Sequence, residues 1–190
     1  MRVQLRLAPL VLLGSALVGS ALQAPAQTGE PPAAGTPGQA LAFSLTIVRH
    51  DLVPAADAMP AEKYDFRPAA GEFKGVRSFA QQVKHVAAVN YALGSMVAGE
   101  KPPVEGGENG PDSVKTKAEI LEYLNGSFAY LEKALASVNQ KNELDLVNSP
   151  FGAKTTRLSL ASFAVAHPLD HYGQMVEYLR MNRIVPPASR

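Results

Sequence analysis

The chain has 190 residues, with 18 basic and 17 acidic side chains, a formal charge of +1 and no cysteine. Its length suits one ordinary domain, and its near-balanced charge argues against a nucleic-acid partner, because neutralising phosphates takes a basic excess. The missing cysteine excludes a disulfide, a thiolate nucleophile and any cysteine-type zinc site, so a metal would have to rely on His, Asp or Glu.

Residues 1–26, "MRVQLRLAPLVLLGSALVGSALQAPA", read as a secretory signal peptide. Arg2 and Arg6 give a positive start, an apolar run follows from Leu7 to Val18, and Ala24-Pro25-Ala26 fits the small-residue cleavage pattern. Gly14, Ser15, Gly19 and Ser20 interrupt the apolar stretch, which falls short of the roughly 20 residues a membrane span needs. The expectation is therefore an exported protein, periplasmic or secreted, with no span in the mature chain. Cleavage after Ala26 removes two arginines and no acid, which moves the formal charge from +1 to −1. Residues 27–39, "QTGEPPAAGTPGQ", are rich in Pro, Gly and Ala and read as a flexible linker ahead of a domain over 40–190.

Four helices are predicted and no strand. Leu41, Leu45, Val48, Leu52 and Ala56 repeat at helical spacing over 40–58, with Pro54 expected to bend or shorten the end. A loop with several breakers follows. Ser78-x-x-Gln81 has the form of a capping box and opens a second helix carrying Phe79, Val83, Val86, Val89, Leu93 and Val97. Thr116-x-x-Glu119 is a second such box, although the third helix could begin as early as Asp112. Its stripe runs from Ile120 through Leu124, Phe128 and Leu131 to Val138. The fourth helix is expected over 156–182. Four amphipathic helices bury their stripes most simply as an all-α, four-helix bundle.

The fourth helix carries the sharpest feature. Its inward stripe reads Leu160, Phe163, Ala164, His167, His171, Met175 and Tyr178. Two imidazoles four residues apart lie on one helical face and can turn towards one ion. The commoner alternative is a pair of hydrogen-bonded core histidines. The segment "HPLDH" lacks the glutamate of the H-E-x-x-H peptidases. Pro168 costs a helix interior about 3 kcal/mol, so either the helix kinks there beside a cavity, or it restarts at Pro168, a favoured first-turn residue. His85 lies on the edge of the apolar face of the second helix. His50 falls roughly opposite the stripe of the first.

Two stretches, "MPAEKYDFRPAAGEFKGVRSFAQQVKHVAAVNYAL" (59–93) and "AHPLDHYGQMVEYLRMNRIVPPAS" (166–189), resemble the DinB-like (DinB/YfiT-type) metalloenzyme family. The likeness lies in a Tyr-Asp-Phe and proline loop leading to a histidine-bearing helix. It extends to a final helix with two histidines four apart, then Gly-Gln and Tyr-Leu-Arg. The resemblance implies an up-down-down-up bundle with a divalent metal held by His85, His167 and His171. Two features depart from the family pattern. Asp170 precedes His171 where many members carry adjacent histidines, and Pro168 follows the first histidine of the pair.

A three-histidine set suits Zn²⁺ first, with Ni²⁺, Co²⁺, Mn²⁺ and Fe²⁺ as alternatives. Asn90 and Gln174 are candidates for hydrogen bonds to the second ring nitrogens. The implied chemistry is metal-dependent hydrolysis or thiol-dependent transfer on a small molecule. Relatives include thiol-dependent S-transferases and a maleylpyruvate isomerase, which act in the cytoplasm, whereas an exported protein meets few small thiols. The alternative is a non-catalytic metal or small-ligand binding module. Related bundles often pair as homodimers.

Overall fold

The computed structural model describes residues 35–190; the expected signal peptide and most of the expected linker lie outside the described residues. Among the described residues there are four α-helices: α1 (Pro37–Ala58), α2 (Phe79–Ala98), α3 (Lys117–Ala136) and α4 (Arg157–Met181). Short 3₁₀ turns occur at Ala61–Lys63, Gly107–Asn109 and Pro187–Ser189. None of the helices is long and apolar enough to cross a membrane. The all-helical expectation needs one correction. Leu146–Val147 (β1) and Thr155–Thr156 (β2) form a small antiparallel ladder in the link between α3 and α4. Two residues per strand are too few for an alternating pattern to show in a sequence.

Capping explains where the helices begin. The Thr36 hydroxyl accepts from the Gln39 N–H at 3.2 Å, while the Gln39 side chain accepts from the Thr36 N–H at 2.9 Å. Pro37 then occupies a first-turn position, where its missing N–H costs nothing. Helix α1 therefore starts three residues before the expected Ala40, inside the stretch read as linker. The same reciprocal bonding joins Ser78 to Gln81 and Thr116 to Glu119. The second of these fixes the start of α3 at Lys117 rather than near Asp112. Thr156 caps α4 by accepting from the Ser159 N–H.

Both interior prolines are carried without a break. Pro54 and His50 are exposed, so water can serve the His50 carbonyl that Pro54 leaves without a donor, and α1 is not shortened. Pro168 is buried within a continuous α4, which removes the restart reading. The carbonyl of Ala164, a fully buried residue, loses its usual donor there.

Helix α1 packs on α3 and α4, and α2 packs on the same two. Leu45, Leu52, Phe79, Leu93, Phe128 and Leu131 are among the fully buried side chains of the shared core. Contacts at both ends hold α2 beside α4. At one end Phe79 and Tyr178 meet edge to face at 6.4 Å, and the Tyr178 hydroxyl donates to the Arg77 carbonyl at 2.8 Å. At the other, the Arg157 guanidinium donates to the Val97 and Asn142 carbonyls. His85 is thereby set opposite His167 and His171.

Gly38 marks a close approach of α1 to the end of α3. Its N–H donates to the Val138 carbonyl at 3.0 Å, and a Cβ there would collide with the backbone oxygens of Leu135 and Val138. Gly173, by contrast, is exposed in the interior of α4 with open space around it. In urea unfolding we expect Gly38→Ala to cost about 1–3 kcal/mol through overpacking. Gly173→Ala should add up to about 1 kcal/mol through helix propensity. Equal stabilities for the two variants would contradict this packing.

Candidate metal centre

His85 projects from α2, and His167 and His171 project from successive turns of α4. One potential ligand atom from each ring lies within 4.8 Å of the others. The Nε2 atoms of His85 and His167 are 3.3 Å apart. Ring centroids are separated by 4.6 Å for His167 and His171, 4.8 Å for His85 and His171, and 5.2 Å for His85 and His167. His85 is 7% exposed and His171 8%, while His167 is half-buried. Phe163 lies 6.0 Å from the His167 ring and supports the ring of Phe151, which is exposed.

Hydrogen bonds determine which nitrogens carry protons. His85 Nδ1 lies 2.7 Å from the Glu108 carbonyl oxygen. A carbonyl can only accept, so Nδ1 donates and the neutral ring keeps its Nε2 lone pair free. His171 Nδ1 lies 2.8 Å from Gln82 Oε1, and the Gln82 amide nitrogen donates to Gln174 Oε1 at 2.7 Å. Gln82 is thus the acceptor for His171, whose Nε2 is also bare. His167 Nδ1 is buried and has no partner.

Charge is disfavoured on all three rings. Burial, reinforced by the neighbouring imidazoles and Arg77, pushes His167 down to about 3. Burial and the nearby His85 take His171 down to about 4, against an opposing pull from Asp170. Burial also lowers His85, against the hydrogen bond to Glu108. A neutral imidazole is the ligating form of histidine. The residues present therefore fit a divalent cation: two bare Nε2 atoms set by fixed acceptors, joined by a third neutral ring whose Nδ1 has no protein partner.

The structure brings together the expected triad and separates the expected supporting residues. Asn90 Nδ2 donates to the Ser127 hydroxyl of α3 at 3.2 Å, so Asn90 does not support a histidine. Five residues after His85, it is rotated about 140° around α2 at 100° per residue. Gln174 is near but acts through Gln82 rather than on a ring nitrogen. His50 is exposed beside Asp51, away from the site. Sequence reasoning missed Gln82 and the Glu108 carbonyl. Gln82 had a signal, a buried amide one turn before His85 on an apolar face. Glu108 contributes only backbone from a loop, which side-chain identity does not reveal.

The family model of the DinB superfamily matches residues 44–175, which include all three histidines. The chain belongs to the DinB superfamily. Comparison with curated proteins returned no match.

The lowered histidines link stability to pH. Unfolded histidines bind protons near 6.5, whereas folded His167 and His171 bind them only near 3 and 4. The unfolded chain therefore holds more protons across that window, and stability rises with pH. The contribution is present above about 6.5 and is lost as pH falls towards the folded values. Urea midpoints of the metal-free protein should drop between about pH 7 and about pH 5, and the drop should be smaller for His167→Gln. The same drop in both proteins would contradict the assignment.

Proposed function

We propose that this member of the DinB superfamily is an exported protein that holds one divalent metal ion through His85, His167 and His171 and uses it in metal-dependent hydrolysis of a small molecule. The observation that carries the reading is the convergence of three neutral imidazoles, with ligand atoms within 4.8 Å of one another. Zn²⁺ is the first choice for this donor set, and Ni²⁺, Co²⁺, Mn²⁺ and Fe²⁺ share it. A bound ion supplies Lewis-acid polarisation of an oxygen or sulfur atom. The chain's own residues do the rest. Burial keeps the rings neutral, while the Glu108 carbonyl and Gln82 hold the tautomers. A cleft of about 580 Å³ lined by Arg77, Gln81, Lys84 and Asn109 shares the Gln82 and Gln174 amides with the outer side of the site, and offers room for a small molecule.

Hydrolysis is preferred to thiol-dependent transfer because the N-terminal 26 residues read as an export signal, and export removes the chain from cytoplasmic thiols. A second reading is a non-catalytic periplasmic binder of metal or small ligand. It is favoured by the composition of the cluster, which among the described residues contains three histidines and no carboxylate. We read the helix order as up-down-down-up. The meeting of Asp57 with Lys117, Gly38 with Val138 and Phe79 with Tyr178 supports it, together with Tyr64, which joins Ala56 near the end of α1 to Phe79 at the start of α2. A homodimer is part of the proposal by family resemblance.

Elemental analysis of the purified protein should find one divalent metal per chain, and the His167→Ala, His171→Ala double variant should lose it. Stoichiometric metal in that variant would remove the proposed site. Turnover of the metallated protein on esters, amides or thiol conjugates separates an enzyme from a binder.

A further inference from the structure

The three imidazoles differ in what stands behind them. His85 donates to a backbone carbonyl, and His167 Nδ1 has no acceptor. Behind His171 is a chain of side chains. His171 Nδ1 donates to Gln82 at 2.8 Å, Gln82 donates to Gln174 at 2.7 Å, and Gln174 donates to Asp170 Oδ2 at 2.9 Å. The chain leaves α4, crosses to α2 and returns to α4. It joins a fully buried end, with Gln82 2% exposed, to an exposed carboxylate.

Every link has one direction, and the last residue imposes it. A carboxylate accepts and does not donate, so Gln174 must turn its NH₂ to Asp170 and its oxygen to Gln82. Gln82 must then donate to Gln174 and present its own oxygen to His171. His171 must carry its proton on Nδ1, which leaves Nε2 free. Aligned amide dipoles that end on an anion polarise one another, so each bond strengthens the next. Asp170 stands where the family resemblance leads one to expect a further histidine, and it supplies the charge that ends the chain.

We propose that Asp170, Gln174 and Gln82 are positioning residues that lock His171 in its Nδ1–H form and raise the donor strength of its Nε2. The inference rests on the metal-centre reading, in which His171 is a ligand. It extends the carboxylate–histidine arrangement of metal sites by two amides, and it makes His171 the best-supported of the three ligands. The plain alternative is that the amides only pack between α2 and α4.

The tautomer of His171 is read by ¹⁵N NMR of the metal-free protein, with His85 as an internal control. Metal affinity is read separately by competition between the protein and a chelator for Zn²⁺. In the unaltered protein His171 should be the Nδ1–H tautomer. Gln82→Leu should mix its tautomers and weaken Zn²⁺ binding about 10–100-fold, the usual effect of removing an outer-shell partner. Asp170→Ala should move both readouts the same way by less, and Asp170→Asn, which keeps an oxygen but loses the charge and can also donate, should restore them only in part. His85 should stay unchanged throughout. An unmoved His171 tautomer in both Gln82→Leu and Asp170→Ala would overturn the relay. An unaltered protein that binds no Zn²⁺ would overturn the metal-centre reading instead, and the NMR result would still decide the relay.

Discussion

The site depends on taking three imidazoles out of water between α2 and α4. An isolated histidine is cationic below about 6.5, and three cations within a few ångströms would repel one another. Burial removes that state before repulsion arises, because a low-dielectric setting penalises the charged form. Three neutral rings with converging lone pairs remain. Desolvation is the largest cause of the lowered proton affinity at each ring. Arg77 adds to it at all three rings, and neighbouring imidazoles add to it at His167 and His171.

That burial requires α2 and α4 to lie close along their length. The contacts that secure them are distributed towards the two ends, where Tyr178 and Phe79 meet at one and Arg157 reaches the Val97 carbonyl at the other. The middle is therefore free to hold polar side chains. Buried polar groups are tolerated when they find partners, and Gln82 and the Nδ1 atoms of His85 and His171 do. Among the side chains of the described residues, the exceptions are Asn90 Oδ1, on the helix that packs against α3, and His167 Nδ1, within the triad.

Much of this was legible in the sequence. The helices followed from apolar periodicity, and two of the three capping boxes were visible as Ser-x-x-Gln and Thr-x-x-Glu. The third, Thr36-x-x-Gln39 with Pro37 inside it, was equally explicit in form but was masked by a Pro- and Gly-rich surrounding that reads as linker. The His167–His171 pair was visible because four residues is nearly one helical turn. His85 was not, because joining it to that pair needs tertiary contact, and only the family resemblance pointed to it. Asn90 failed for a local reason: five residues carry a side chain to a different face. The small ladder before α4 and the Glu108 carbonyl left no pattern at all, since one is too short and the other is backbone.

The most direct measurement of the central claim is X-ray absorption at the edge of the metal bound to the purified protein. The account predicts nitrogen donors at about 2.0–2.1 Å for zinc, with the outer-shell scattering of three imidazoles. A spectrum showing oxygen donors alone, or a single imidazole, would contradict it.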